Sequence, residues 1–301
     1  MKKVKSTVAP NNVDTLESIK KLTVTAMFSD DELFDHLVLK GGNAMDLVHR
    51  LSSRASIDLD FSMKHDFPEG VNGFCDRVER ALKRTFRLNN YEVFDVKMEE
   101  KPNLLTGDMA NFWGGYAIEF KVIPSLLYEK HSPNVDELRK YALQIGQGKK
   151  FLIDISRFEY IDQKQAFDLD GYRIYVYSPE MIVCEKLRAL CQQMEAYGPI
   201  IKRNRAGSPR AKDFLDIYVL VDTLHLDLRT SQNLDVLTEM FKIKRVPLDF
   251  LGHLELQREF HRTSFPSVRD TVKAGMAIKD FDFYFDYVLA LAENLKPLWH
   301  V

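Results

Sequence analysis

Near the start of the chain, Val13, Leu16, Ile19, Leu22 and Met27 recur at helical spacing and predict a helix over 12–28, with a second over 30–37. A short apolar run at 37–39 reads as a strand that gives way at Gly41-Gly42 to a helix over 43–51. The period then changes. Ile57, Leu59 and Phe61 alternate with Asp58 and Asp60, as in a strand buried on one face. An amphipathic helix over 74–87 is followed by strand-like runs at 91–98, 116–123, 151–155 and 172–176, with a short helix over 134–144. From residue 178 the apolar spacing is helical almost throughout. The pattern predicts an α/β (α+β) fold. A small, mostly antiparallel mixed sheet flanked by helices occupies residues 1–177, and a helical domain over 178–301 closes on it.

The alternation at 57–61 has a chemical consequence. Residues i and i+2 of a strand project from one face, so Asp58 and Asp60 stand side by side. Adjacent anions repel, and a divalent cation between them resolves the repulsion. Mg²⁺ (or Mn²⁺) takes carboxylate oxygens together with substrate phosphates, so a phosphate-handling site is the first reading. Lys40-Gly41-Gly42-Asn43 supplies the complement. Glycines let backbone approach a ligand closely, and the N–H groups that open a helix face a bound anion. Asn43 is a suitable N-cap. Two-metal phosphoryl chemistry needs a further carboxylate. Asp154 in FLIDISRF and Glu119 in YAIEFKVI each sit in an otherwise apolar strand, and an outward-facing charge on a half-buried strand is the bland account of either.

Two later helices each carry a charge where an apolar residue is expected. Ser178-Pro179 opens the first, and Lys186 falls within its arc of Ile182, Val183, Leu187, Ala189 and Leu190. Ser208-Pro209 opens the second, and Asp213 lies on its stripe of Ile217, Leu220, Val221 and Leu224. Opposite signs on consecutive helices predict an ion pair, structural or functional, because an uncompensated buried charge is too costly. Asp216, at the edge of the stripe, reads as a helix–helix or capping contact. Between the helices, Lys202, Arg203, Arg205, Arg210 and Lys212 form a basic loop suited to phosphates, or simply to solvent. Arg210 opens the second helix and is the member placed to reach a triphosphate.

The run Lys40-Gly41-Gly42-Asn43-Ala44, followed by Arg54-Ala55-Ser56-Ile57-Asp58-Leu59-Asp60-Phe61, resembles the polymerase-beta-type nucleotidyltransferase signature and, more narrowly, the AbiEii/AbiGii toxin group. That group usually reads K-G-G-T-A and then R-x-S-x-D-[IL]-D-F, so Asn43 stands where Thr is usual. EKLRAL at 185–190 and KDFLDIY at 212–218 resemble its later motifs. The resemblance implies catalytic roles for Asp58, Asp60, Lys186, Asp213 and Asp154, with Asp154 favoured over Glu119 as the third carboxylate. It implies metal ligation by Asp58, Asp60 and Asp154. It also implies nucleotide contacts from Lys40, Gly41, Gly42, Asn43, Ser56 and Arg210. The expected reaction moves NMP from an NTP to an acceptor, with an RNA such as tRNA the expected one, in a type IV toxin–antitoxin or phage-defence setting with a separately encoded antitoxin.

Composition narrows the partners. At 301 residues, with 45% apolar and 29% charged side chains, the chain is that of a globular protein. A net charge of −2 argues against coating nucleic acid through bulk charge, so RNA must be met by a local patch. Cys75, Cys184 and Cys191 form neither a metal spacing nor an even disulfide framework. No apolar run has the length of a membrane span and no h-region follows the basic N-terminus, which reads as cytoplasmic. Transfer to a small molecule or a protein hydroxyl, or an idle nucleotide-binding relative, stay open as alternatives.

Overall fold

The computed structural model describes residues 12–51, 58–103, 107–144, 148–272 and 277–299. Helices α1 (Asn12–Met27) and α2 (Asp31–His36) lead into strand β1 (Val38–Lys40). The Gly-Gly turn makes a single helical turn, α3 (Gly41–Asn43), which runs on into a π-helical turn at Ala44–Val48. Strand β2 (Leu59–Ser62), the long helix α4 (Gly70–Arg87), β3 (Tyr91–Lys101) and β4 (Gly115–Pro124) come next. Short helices α5 (Ser125–His131) and α6 (Val135–Tyr141) precede β5 (Phe151–Ser156), β6 (Gln165–Leu169) and β7 (Tyr172–Val176). The helices after the sheet are α7 (Pro179–Cys191), α8 (Ala211–Leu224), α9 (Ser231–Ile243), α10 (Arg258–Arg262), α11 (Phe265–Arg269) and α12 (Phe281–Asn294).

The seven strands form one sheet in the order β3-β4-β5-β2-β1-β7-β6. Only β2–β5 and β1–β7 pair in parallel, and the other four pairings are antiparallel. The mixed, mostly antiparallel sheet read from the sequence is what the chain builds. Alternation decides its two faces. Phe151, Ile153 and Ile155 of β5 and Tyr116, Ile118 and Phe120 of β4 are buried in the core. Asp154, Ser156, Ala117 and Glu119 lie on the opposite, more open face.

Helix α7 fits against the sheet as a buried element. From Met181 to Cys191 every residue except Glu185 is buried. Such a helix is buried all round and is held by neighbours, here α8, α9 and the 3₁₀ segment Leu248–Gln257. Ser178 caps it as expected, its hydroxyl accepting from the Met181 N–H at 3.2 Å. One continuous core joins sheet and helices.

Several expectations need correction. Asn43 is not an N-cap; it is the third residue of α3, and its side-chain amide donates to the Asp58 carbonyl at 2.5 Å. The segment after it is a π turn in place of a regular helix. Ser208 does not open α8, which begins at Ala211, because the first N–H donors find partners elsewhere. The Arg210 N–H donates to His261 Nδ1 at 3.0 Å and the Ala211 N–H to Ser264 Oγ at 3.1 Å. Strand β6 and helix α5 are additions to the expected list.

Within the basic loop, Arg203 turns inward. Its guanidinium donates to the carbonyls of Gln192 (2.9 Å), Gln193 (3.2 Å) and Met194 (3.0 Å), the groups left open just beyond the end of α7. Arg203→Ala should lower stability by about 1–3 kcal/mol, the scale of losing charge-assisted bonds to buried carbonyls. Urea unfolding reads this as a lower midpoint with an unchanged slope, and an unmoved midpoint contradicts it.

Candidate active site

Register assembles the site. Lys40 of β1 pairs opposite Asp60 of β2, and Asp60 pairs beside Asp154 of β5. The three side chains therefore form one row across three adjacent strands, on the open face. Asp58 occupies the bend just before β2 and is exposed. Asp154 acts electrostatically on both Asp58 and Asp60, pushing each carboxyl upward, so the three carboxylates share one region. Glu119 stands apart, paired with Lys150 at 2.6 Å and Lys97 at 4.0 Å. Arg54 and Ser56 fall outside the described residues.

Gly41 touches this row directly. Its φ is +69°, and a Cβ there would lie 2.6 Å from Asp60 Oδ2. Only glycine allows both the left-handed backbone and the close approach. Around the turn lies a cavity of about 250 Å³ lined by Lys40, Gly41, Gly42, Asp60, Lys212 and Asp213, among others. A second cavity, of about 290 Å³, opens on the Asp154 side, and Lys40, Ser156, Glu185 and Arg210 line both.

Burial raises the Asp60 carboxyl to about 6, opposed by Lys40 and Lys212 and reinforced by Glu185 and Asp154. Asp58 is raised as well, by partial desolvation of its carboxyl first and then by Asp154. Both groups resist ionisation where they stand, a configuration that favours a cationic guest. Among the described residues no three His, Cys, Asp or Glu side chains form a ready-made metal shell. Mg²⁺ does not require one, since it commonly takes one or two carboxylates and completes its shell with water and phosphate oxygens. Asp58, Asp60 and Asp154 offer hard oxygen donors of the kind such an ion takes one or two at a time.

The second layer comes from α7 and α8. Lys186 Nζ donates to Asp213 Oδ1 at 2.9 Å and to Asp216 Oδ2 at 2.7 Å, all three groups buried. The expected pair is there, and Asp216 is a full member of it. Asp213 also accepts from Arg210 Nε. Burial alone would raise the Asp213 carboxyl, but Arg210, Lys186 and Lys212 outweigh it and hold the group well below the usual carboxylate range. Lys186, Asp213, Arg210 and Lys212 all line the cavity at Gly41-Gly42.

A further network escaped sequence reading. Glu159, almost fully buried, accepts from Arg188 at 2.7 Å and ion-pairs with Lys244 at 3.4 Å and Lys40 at 3.9 Å. Burial opposes its ionisation, and these three cations keep it ionised. Glu185 bridges Lys40 and Arg188 at 3.6 Å each. Lys40 also donates to Ser156 Oγ at 3.0 Å, which anchors its ammonium above the row. A signal for Glu185 and Arg188 existed: a helix buried on every side must give each of its charges a partner.

A family model described as the nucleotidyl transferase AbiEii toxin of type IV toxin–antitoxin systems matches residues 24–286. The chain belongs to this family. It is an AbiEii-type nucleotidyltransferase toxin, and every candidate site residue lies inside the matched span. The family setting brings a nucleotide substrate and an antitoxin with it. No curated protein matches the sequence. Among solved structures, JHP933 from Helicobacter pylori is similar at 16% identity and TM-score 0.48, over 97% of this chain and 95% of that one. A provisionally assigned H. pylori nucleotidyltransferase gives 15% identity and TM-score 0.49 over 98% and 100%. An antigenic nucleotidyltransferase-like protein from Paracoccidioides brasiliensis gives 16% identity and TM-score 0.34 over 79% and 92%. Among the described residues of this AbiEii-type chain, no helix is long and apolar enough to cross a membrane.

Two predictions follow from the electrostatics. With its carboxyl raised from 3.8 to about 6, Asp60 binds its proton more tightly in the folded chain than in the unfolded one. Stability is then lost as pH rises from about 4 through 6, by up to about 3 kcal/mol at about 1.4 kcal/mol per unit. In chelator-treated protein, Asp60→Asn should unfold at higher urea than wild type at pH 7.5, with the gap closing by pH 4. A gap independent of pH contradicts this. Lys186→Ala removes the buried cation that Asp213 and Asp216 share and should cost about 3–5 kcal/mol. A urea midpoint within error of wild type would remove Lys186 from the structural account.

Proposed function

We propose that this AbiEii-type toxin transfers NMP from an NTP to an RNA hydroxyl, with the tRNA 3′ end as acceptor, in the cytoplasm and under the control of a cognate antitoxin. The observation that carries the reading is the in-register row Lys40–Asp60–Asp154 beside the Gly41 backbone. When bound, a divalent cation (Mg²⁺ or Mn²⁺) held by Asp58, Asp60 and Asp154 supplies positive charge to the phosphate oxygens.

The chain's own residues do the remaining work. Backbone N–H groups at Gly41, Gly42 and Asn43 meet phosphate oxygens at the cavity wall. Arg210 and Lys212 add charge from the α8 side. Lys186 stabilises the same side, and by fixing Asp213 it keeps Arg210 aimed at the cavity. Asp154 takes the proton of the attacking hydroxyl as the α-phosphorus–oxygen bond forms and pyrophosphate leaves with the broken bond's electrons. In this division, residues 1–177 carry the carboxylates and residues 178–301 carry the cationic wall. The local basic groups Arg210, Lys212 and Lys101 suit an anionic acceptor better than a neutral small molecule.

The test is to incubate protein with Mg²⁺, each α-labelled NTP in turn, and total tRNA. Label should enter tRNA with wild type, fall about 100-fold or more in Asp58→Ala, and vanish with EDTA. Asp58 is exposed, so that variant keeps its fold. Label on protein or on a small molecule moves the acceptor, and equal labelling by wild type and Asp58→Ala refutes the proposal.

A further inference from the structure

We infer that the cavity on the Asp154 side of the row is a seat for a nucleobase, lined by Trp113 and Ala189. The ligand class is argued from the cavity itself, and the chemistry it serves rests on the transfer reading above.

Three features build the seat. On one wall, Trp113 is followed by Gly114 and Gly115, so two successive positions add no side chain beside the indole. Gly115 has no alternative, since a Cβ there would fall 2.1 Å from the Ile155 carbonyl oxygen. The indole is held in place, its centroid 6.0 Å from the Tyr197 ring and 5.5 Å from Lys244 Nζ. Helix α7 supplies another part of the lining, where Glu185, Ala189 and Gln192 follow one another at i, i+4 and i+7 on a single face. Ala189 contributes only a methyl group to that lining, which spares room in the cavity for a flat ring.

The third feature is polarity. Gln192, buried in the same lining, carries both a donor and an acceptor, and its Nε2 lies 3.5 Å from Tyr197 Oη. An aromatic ring and an amide in one lining match a nucleobase, which stacks through its ring and hydrogen-bonds through its edge. Asp154 lines the same cavity. A base seated here keeps its attached sugar beside the carboxylate row, and the seat serves either the NTP or the terminal nucleoside of the acceptor.

Fluorescence tests this without requiring turnover. Trp113 and Trp299 are the chain's two tryptophans, so Trp299→Phe leaves Trp113 as the sole tryptophan, read by excitation at the red edge where tyrosine does not absorb. The probes are nucleoside monophosphates, NTPs and, as a base-free control, tripolyphosphate. Saturable quenching by the base-bearing probes and not by tripolyphosphate is expected, with at least tenfold weaker binding in Ala189→Phe. Gln192→Leu serves in its place if thermal melts show that Ala189→Phe has lost its fold. Equal responses to tripolyphosphate and NTP, or none to any base-bearing probe, overturn the inference.

In the transfer assay, the same variants should raise one KM at least tenfold while kcat falls less. A raised KM for NTP assigns the base to the donor, and a raised KM for RNA assigns it to the acceptor. Folded variants with both KM values unchanged overturn the inference. Quenching in a protein that transfers nothing would sink the transfer reading and leave the base seat standing.

Discussion

The register that sets Lys40, Asp60 and Asp154 side by side across β1, β2 and β5 is the constraint on which the site depends. A one-residue slip in a strand would send its side chain to the core face. The apolar partners prevent that slip: Leu59 and Phe61 flank Asp60, Ile153 and Ile155 flank Asp154, and all four are buried. The hydrophobic alternation that makes the sheet therefore also crowds like charges together. The sheet gains its core from the same pairing that leaves the carboxylates under mutual repulsion.

The cations around the row answer that crowding in two tiers. The nearer tier, Lys40, Arg210 and Lys212, faces the cavity and opposes the negative charge of the row. The deeper tier is neutralised internally: Lys186 with Asp213 and Asp216, and Glu159 with Arg188 and Lys244. Buried ion pairs of this kind contribute little net stability compared with apolar packing, but removing one partner is expensive. Their value here is positional. They tie α7 to α8 and to the segment after β5, and so fix the distance between the carboxylate face and the cationic wall.

Much of this was legible in the chain because it broke a local rule. Two aspartates on an alternating strand, and Lys186 and Asp213 on apolar helix stripes, are charges where the fold asks for hydrocarbon. The same logic, applied to the whole surface of α7, also marks Glu185 and Arg188. Other features carried no such signal. Strand β6 is an edge strand with mostly exposed residues, so it lacks a buried alternation. Helix α5 fully buries none of its residues, and only Leu127 and Tyr128 pack against a small apolar cluster. The start of α8 is set by His261 and Ser264, about fifty residues away, which a local capping pattern cannot register. Glu159 lies in a loop, and its partners Lys40, Arg188 and Lys244 come together only in three dimensions. Trp113-Gly114-Gly115 reads as an ordinary turn until α7 is set against it.

The central claim is that the carboxylate row is held in an unfavourable ionisation state that a divalent cation relieves. Carbon-13 NMR of labelled aspartate side chains, with Asp60 assigned through Asp60→Asn, measures this directly. In chelator-treated protein the account predicts that Asp60 titrates near 6, and that saturating Mg²⁺ with an NTP drives the titration below the ordinary aspartate range. An Asp60 that titrates near 4 and does not respond to Mg²⁺ and nucleotide would contradict the account.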